Sequence, residues 1–326
     1  MAGIVRSHVR YTLFGLSIEA GEPLPALRPA RHAGPPDVRL WIGAHPPGVS
    51  SSFSPWYVSE REGRAAAPAL VVERGGGWLR LRYADGTVVT MDEAATRVGC
   101  TWPAPLTLDD AATYLLGPVC GLLLRLRGVT SLHASAIEIG GRAVLVCGPA
   151  AAGKSTTAAA LAARGHRVLA DDVSALDARA DGVYVRPAYP QLKLWPDAAR
   201  ALYGDDAELP ALTPNWEKRY LELGGALYQP HPLPVDAVYV LAGREDEDAP
   251  RLEPVEGPQA VLTLVANTYM GWLPDRAAQG RDLALYGAMA RAVPLARLVP
   301  HVRAARLPEL CERVEADVAR RAGGAG

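Results

Sequence analysis

Lysine is almost missing from this sequence. Only Lys154, Lys193 and Lys218 stand among 34 basic side chains, and arginine supplies all the rest. With 32 glycines, 28 prolines and abundant alanine, the bias reads as GC-rich coding, and it makes each lysine informative. Phenylalanine occurs twice, at Phe14 and Phe53. The four cysteines, Cys100, Cys120, Cys147 and Cys311, lack the short paired spacings of a zinc site or a disulfide framework, which points to a reducing, cytoplasmic setting. Neither sign of charge predominates: 34 Lys+Arg against 35 Asp+Glu leave a net charge of -1. Phosphate backbones are bound by a surplus of Lys and Arg, so nucleic acid is excluded as the main partner. Long apolar runs are lacking too. The most apolar stretch, Val119 to Leu124, is cut by Arg125 and Arg127, far short of the ~20 residues that span a bilayer. The amino-terminal MAGIVRSHVRYTLFGLSIEAGE is interrupted by Arg, His and Ser before a signal-peptide core can form. The expectation is a soluble protein that engages neither nucleic acid nor membrane.

What is present is enough apolar material for a large core. At 326 residues, 49% hydrophobic and 21% charged, the chain has room for one large or two ordinary domains. Both phenylalanines and four of the seven tryptophans (Trp41, Trp56, Trp78, Trp102) lie in the first 102 residues. Short β-like runs dominate there: Val38 to Ile42, Trp56 to Ser59, Leu70 to Glu73, Trp78 to Tyr83 and Thr87 to Met91. In Trp78 to Tyr83, Leu79, Leu81 and Tyr83 share one face and the arginines take the other, and Asp85-Gly86 turns the chain into the next strand. Pro103 and Pro105 close this region, so the division expected is a β-rich accessory or substrate-recognition domain over 1–104 and a second domain over 105–326, entered through a helix-like stretch from Leu108 to Arg127. After Pro258 the spacing becomes helical over Ala260 to Met270, Gly280 to Ala292 and Leu307 to Arg321, a closing helical layer.

The segment Gly148-Pro149-Ala150-Ala151-Ala152-Gly153-Lys154-Ser155 matches G-x-x-x-x-G-K-[ST]. An apolar run, Ala143 to Cys147, precedes it, and a helix former from Thr156 to Arg164 follows, closed by Gly165. Flanking glycines let backbone N–H groups curl around phosphate oxygens, and the helix N-terminus adds the positive end of its dipole. The nucleotide-binding set is therefore Gly148 through Thr156, with Lys154 reaching the β/γ-phosphates and Ser155 ligating Mg²⁺.

Two acidic residues and a histidine fall into place around that loop. The next strand, Arg167 to Ala170, runs into Asp171-Asp172. In a strand–loop–helix–strand unit the two strands are parallel, so this pair emerges beside the loop, near Mg²⁺ and the γ-phosphate. Ser135 to Ile139 and Arg142 to Cys147 flank the two-residue turn Gly140-Gly141, so Ile139 pairs with Arg142 and His133 lies opposite Gly148. Residues two after each lysine are Thr156, Trp195 and Tyr220, so the N-K-x-D guanine signature is absent. An ABC-type signature is lacking as well, which leaves ATP and a small kinase-like machine.

The run His133, GPAAAGKS, ARGHRVLADDV resembles the HPr kinase/phosphorylase family, whose core joins a His before a short hairpin to a phosphate loop and then to a strand ending in paired aspartates. The likeness is close over roughly residues 130 to 175 and loose over the C-terminal half. It implies an α/β fold, a P-loop kinase core of HPr kinase type with a mixed sheet, beside the N-terminal β-rich region and C-terminal helices. It implies ATP and Mg²⁺ as cofactors, Asp172 as general base toward a serine hydroxyl, Asp171 on the metal-nucleotide, and His133 orienting Asp172 or the phosphate.

Departures from the family pattern are specific. Ala150, Ala151 and Ala152 replace an extra central glycine, which should stiffen the loop. Where the family has a Glu-Ile-Arg signature with a metal-ligating Glu, this chain reads Tyr189-Pro190-Gln191-Leu192-Lys193-Leu194-Trp195; Gln191 is the candidate stand-in, with Asp197 as the alternative, and a strand packing Leu192 and Leu194 is the plain reading. Glu217-Lys218-Arg219-Tyr220 offers the basic group that family members carry in a mobile loop, with Arg219 the candidate and a solvated charge run the alternative. Arg244 to Asp248 reads as a solvated turn. The YPQLKLWPD stretch and the Trp-rich N-terminal region look more like the HPr-kinase-related proteins of peptide-modification clusters, including lasso-peptide tailoring kinases. That likeness implies a peptide or small protein bearing an acceptor serine. A nucleotide-sensing binding protein and a small-metabolite kinase stand as the other readings, and the sequence leaves a homo-oligomeric assembly open.

Overall fold

The computed structural model describes residues 8–30, 34–60, 68–204 and 208–323, so the first seven residues of the amino-terminal stretch read above lie outside it. The chain forms two compact units. One is built from the described residues up to Gly128 with Thr213–Trp216 and Trp272–Asp275; the other holds Val129–Leu212, Glu217–Gly271 and the described residues from Arg276 onward. The fold is mixed α/β with a β-rich sheet at the N-terminal end.

In the first unit eight strands form one sheet, in the order Val9–Leu13, Leu16–Ala20, Val38–Ile42, Arg97–Thr101, Val88–Asp92, Trp78–Tyr83, Leu70–Gly75, Ser54–Val58. Leu79 and Leu81 are fully buried, as the alternation along Trp78–Tyr83 requires. The opposite face is polar but not idle: Arg80 and Arg82 both donate to the Glu73 carboxylate on the neighbouring strand, at 2.6 and 3.1 Å. The helical segment Leu108–Leu126 also belongs to this unit. It opens with a capping box between Thr107 and Asp110 and widens into a π-turn over Leu115–Val119 around Pro118. Proline lacks the N–H that a regular turn would bond, and the wider turn absorbs the loss.

The second unit is organised by a hairpin. Ala134–Ile139 and Arg142–Cys147 pair antiparallel with Ile139 opposite Arg142, the register that a two-residue glycine turn imposes. Arg167–Ala170 lies on the other side of Ala134–Ile139 and runs antiparallel to it, so it points the same way as Arg142–Cys147. Leu233–Leu241 runs parallel to Arg142–Cys147, and Leu295–Val299 parallel to Leu233–Leu241. This last strand lies between two of the stretches read from sequence as helical and was not singled out there; the helices are Gly257–Ala266, Arg276–Ala292 and Leu307–Gly323. Four apolar residues and an arginine between two helices, read without their partners, carry too short a pattern to separate strand from helix.

Helix Lys154–Ala163 covers the sheet and packs against Ala134–Ile139 and helix Leu307–Gly323. Its inner face is mostly alanine, Ala158, Ala159 and Ala162 with Leu161, which favours the helix and lets its axis approach the strands closely. Ile137, Val144, Val146, Val168, Tyr239 and Val314 complete that core. Removing Leu161, fully buried, to alanine would cost about 2–5 kcal/mol. Among the described residues all four cysteines are free and buried, and no helix is long and apolar enough to cross a membrane.

Candidate active site

Three strands running in one direction, Arg142–Cys147, Leu233–Leu241 and Leu295–Val299, end at one edge of the sheet, and a cleft of about 730 Å³ opens there. The phosphate-loop residues Ala150 to Thr157 form one wall, and His133 and Asp172 stand in the same cleft. So do all three lysines of the chain, Lys154, Lys193 and Lys218. Leu241, Arg244, Pro300, His301 and Leu307 line it as well.

The loop's backbone explains its glycines and one of its alanines. Gly148 has φ +145° and Gly153 φ +108°, both unfavourable for residues with a side chain, and Gly153 immediately precedes the helix. Ala151 also sits at positive φ, +61°, a left-handed conformation that disfavours alanine by roughly 1–2 kcal/mol. Lys154 lies back over the loop, its Nζ donating to the carbonyls of Gly148 and Pro149 at 2.9 Å each. Burial lowers its pKa, and the carboxylates of Asp172 and Asp171 oppose that effect.

The two aspartates at the end of Arg167–Ala170 have different partners. Asp171 is buried: Oδ1 accepts from Ser135 Oγ at 2.6 Å and Ser155 Oγ at 2.9 Å, and Oδ2 accepts from the Lys193 N–H at 3.2 Å. Asp172 takes a left-handed backbone, φ +69°, one that Asp tolerates better than most residues, and its carboxylate meets a separate set of groups. His133 Nε2 lies 3.2 Å from its Oδ1, and the Tyr269 hydroxyl donates to its Oδ2 at 3.5 Å. Partial burial opposes ionisation of Asp172. The hydrogen bond from His133 and the positive charges of Lys193 and Lys218 prevail, and its pKa is held down at about 2. Burial and the neighbouring Lys193 charge lower the pKa of the Lys218 ammonium below its ordinary value, with Asp172 countering. Lys218 also lies over the Trp195 ring, 5.0 Å from its centre.

A divalent cation of the magnesium kind is suited to this oxygen-lined corner. The Ser155 hydroxyl and the Asp171 carboxylate share a hydrogen bond beside the loop, and both are hard oxygen donors. Among the described residues no group of three or more His, Cys, Asp or Glu could hold a metal alone.

The remaining residues singled out from sequence fall elsewhere. Arg219 does not line the cleft; its neighbour Lys218 does. Strand Gln191–Leu194 pairs with Trp216–Glu222 so that Lys193 faces Tyr220 and Leu194 faces Arg219. Alternation therefore sets Lys193 and Lys218 on the cleft side and leaves Arg219 beside the buried Leu194. Gln191 is buried at 3% exposure, does not line the cleft, and its Oε1 makes no hydrogen bond to any described residue. Asp197 does line the cleft and is exposed. Arg244, read as part of a solvated turn, reaches the cleft as well. Ser135, Asn267 and Tyr269 carry no motif that marks them in the sequence; the rarity of lysine marks Lys193, and Lys218 is marked by that rarity and by the basic segment Glu217-Lys218-Arg219-Tyr220.

Residues 125–192 match the model of the HPr Serine kinase C-terminal domain. The HPr kinase/phosphorylase of Lactobacillus delbrueckii subsp. bulgaricus is 38% identical over 86 residues, 26% of this chain and 26% of that protein. The chain thus spans about a quarter of the length of the curated relative it matches. The Hpr(Ser) kinase/phosphatase from Coxiella burnetii overlaps at a TM-score of 0.34 and 16% identity, covering 60% of this chain and 94% of that one.

Proposed function

We propose that this protein is an ATP- and Mg²⁺-dependent kinase that transfers a γ-phosphoryl group to a serine hydroxyl of a peptide or small protein. The match of residues 125–192 to the HPr Serine kinase C-terminal domain suggests ATP-dependent serine-kinase-like activity. The observation that carries the reading for this chain is a single convergence: the Lys154 loop, the Ser155–Asp171 pair and the His133–Asp172 pair share one cleft.

Phosphoryl transfer needs in-line positioning and neutralised charge more than covalent help. Gly148 through Thr156 cradle the phosphates, and Lys154 turns its ammonium from the loop carbonyls to the β/γ-phosphates. Ser155 and Asp171 would hold Mg²⁺, which when bound would neutralise charge on the phosphate oxygens. Asp172 accepts the proton of the acceptor serine as its oxygen bonds to the γ-phosphorus; the bond to the β–γ bridging oxygen breaks and ADP leaves. His133 directs the Asp172 carboxylate, and Lys218 with Lys193 offsets negative charge on the group in transit.

A peptide acceptor, a lasso-peptide precursor among them, is supported by the likeness of the Tyr189-to-Asp197 stretch and by the separate β-rich unit. A cytoplasmic setting accords with four free cysteines. The test is incubation of the protein with labelled ATP, Mg²⁺ and serine-bearing precursor peptides. Label on the serine, lost in Asp172→Asn, is expected. No transfer by the native protein, or undiminished transfer by Asp172→Asn, overturns the assignment, and tight ATP binding without hydrolysis or transfer would assign nucleotide sensing instead.

A further inference from the structure

Asn267 ends the helix Gly257–Ala266, and its polar groups serve three different elements. Its Oδ1 accepts the N–H of Gly148, the first residue of the phosphate loop, at 2.9 Å. Its Nδ2 donates to the Thr263 carbonyl, one turn back in the helix, at 2.8 Å. Its main-chain carbonyl accepts the N–H of His133, also at 2.8 Å. The amide orientation follows from the partners: reversed, Nδ2 would face an N–H and Oδ1 a carbonyl. Two residues on, the Tyr269 N–H donates to the Ser131 carbonyl at 2.8 Å and its hydroxyl reaches Asp172. The Tyr269 ring meets the His133 ring edge to face, with centres 5.7 Å apart at 84°. One short segment thus grips the phosphate loop at one end and the imidazole–carboxylate pair at the other.

The gripped point of the loop is a position suited to glycine. Gly148 has φ +145°, and a Cβ placed there would meet Leu241 Cβ at 3.2 Å and Ala152 Cβ at 3.3 Å.

We propose that Asn267-Thr268-Tyr269 is a positioning segment that ties the conformation of the phosphate loop to the alignment of His133 and Asp172, with Asn267 acting on both and Tyr269 on the pair alone. The kinetic half of this inference rests on the phosphotransfer reading; the nucleotide-binding half does not.

Asn267→Ala removes the acceptor for Gly148 and keeps the main-chain carbonyl for His133, whereas Tyr269→Phe keeps the ring and removes the hydroxyl. With ATP affinity measured calorimetrically and transfer followed with labelled ATP, Asn267→Ala is expected to lose about tenfold in both affinity and kcat. Tyr269→Phe should bind ATP within about twofold of the native protein and lose about tenfold in kcat, the mark of an interaction that aligns reacting groups and not the nucleotide. Hydrogen exchange over residues 148–153 should quicken in Asn267→Ala alone. Should that variant not fold, Asn267→Ser, with a short polar group at the helix end, carries the same comparison. Native ATP affinity and native loop exchange in a folded Asn267 variant overturn the proposal, and equal losses of ATP affinity in both variants overturn the division of roles. If the native protein transfers no phosphate at all, the phosphotransfer reading falls, while affinity and exchange still decide what Asn267 does to the loop.

Discussion

His133 Nε2 stands 3.2 Å from Asp172 Oδ1, in a cleft that also holds Lys193 and Lys218. The contact sets the imidazole as donor and leaves the second carboxylate oxygen to Tyr269 and to an incoming hydroxyl. With its pKa held at about 2, Asp172 is ionised at neutral pH and ready to accept a proton, though it is a weak base when free. In the proposed transfer its strength would come from proximity, and from a hydroxyl proton that becomes acidic only as the oxygen–phosphorus bond forms.

If Asp172 is the general base of the proposed transfer, Asp172→Asn should lower phosphoryl transfer by about 10²–10⁴-fold, the range for losing such a base, with ATP affinity nearly unchanged. His133→Ala acts through Asp172 and should cost less, about 10–10²-fold. Single-turnover transfer and a separate nucleotide titration check both. A larger loss for His133→Ala than for Asp172→Asn would reverse the roles.

Lys218 and Arg219 are adjacent, yet the strand sends them to opposite faces. Lys218→Ala is expected to reduce kcat by about 10–10²-fold, as for one removed charge-stabilising group. Arg219→Ala should stay within about twofold of the native rate. Steady-state assays of the two variants side by side decide; equal losses would mean that the face assignment does not govern the chemistry.

The left-handed Ala151 makes a stability prediction that runs against the usual ranking. Alanine normally exceeds glycine, but at φ +61° the Cβ is strained, so Ala151→Gly should raise the unfolding free energy by up to about 1 kcal/mol. Ala159→Gly, fully buried in the helix that follows, should lower it by about 1 kcal/mol. Calorimetric melting of both variants gives the comparison, and a loss on Ala151→Gly would remove strain from the account of the loop.

Glu73 links stability to pH in the β-rich unit. Hydrogen bonding to Arg80 lowers its pKa below 4.5 against the opposing effect of burial, with the charges of Arg80 and Arg82 assisting. A folded-state pKa below the unfolded one adds stability that is full above the unfolded value and is lost as pH falls through the folded value. Glu73→Gln should therefore destabilise by about 1–3 kcal/mol at pH 7, the scale of hydrogen bonds to a charged group, and progressively less below 4.5. Melting curves of native and variant protein across that range measure it. A gap that widens with acid would contradict the sign.

Much of the second unit's framework could be read along the chain because each part is enforced by neighbours in sequence. Gly140-Gly141 dictates a hairpin register, and the residues from Gly148 to Ser155 match the phosphate-loop pattern G-x-x-x-x-G-K-[ST]. Asp171-Asp172 follows a strand whose direction the connecting helix sets. Arg219 shows where such reading stops: a strand pairing displaced by one residue exchanges every side chain between faces, and the pairing of Gln191–Leu194 with Trp216–Glu222 was not visible in either segment alone. Strand Leu295–Val299 was missed for a related reason, since its identity comes from two partners distant in sequence.

By itself the sequence determined the phosphate loop, the hairpin that carries His133 toward it, and the acidic pair that ends the following strand. These depend on backbone conformation and on turns of a few residues, whose preferences act locally. Only the tertiary structure decided that Lys218 rather than Arg219 faces the cleft, that the two aspartates divide their partners, and that Asn267, 119 residues from Gly148, holds the loop's first N–H. Those outcomes arise when distant segments pack, because which hydrogen-bonding groups meet is set by the close fit of buried surfaces and not by any preference encoded near the residues themselves.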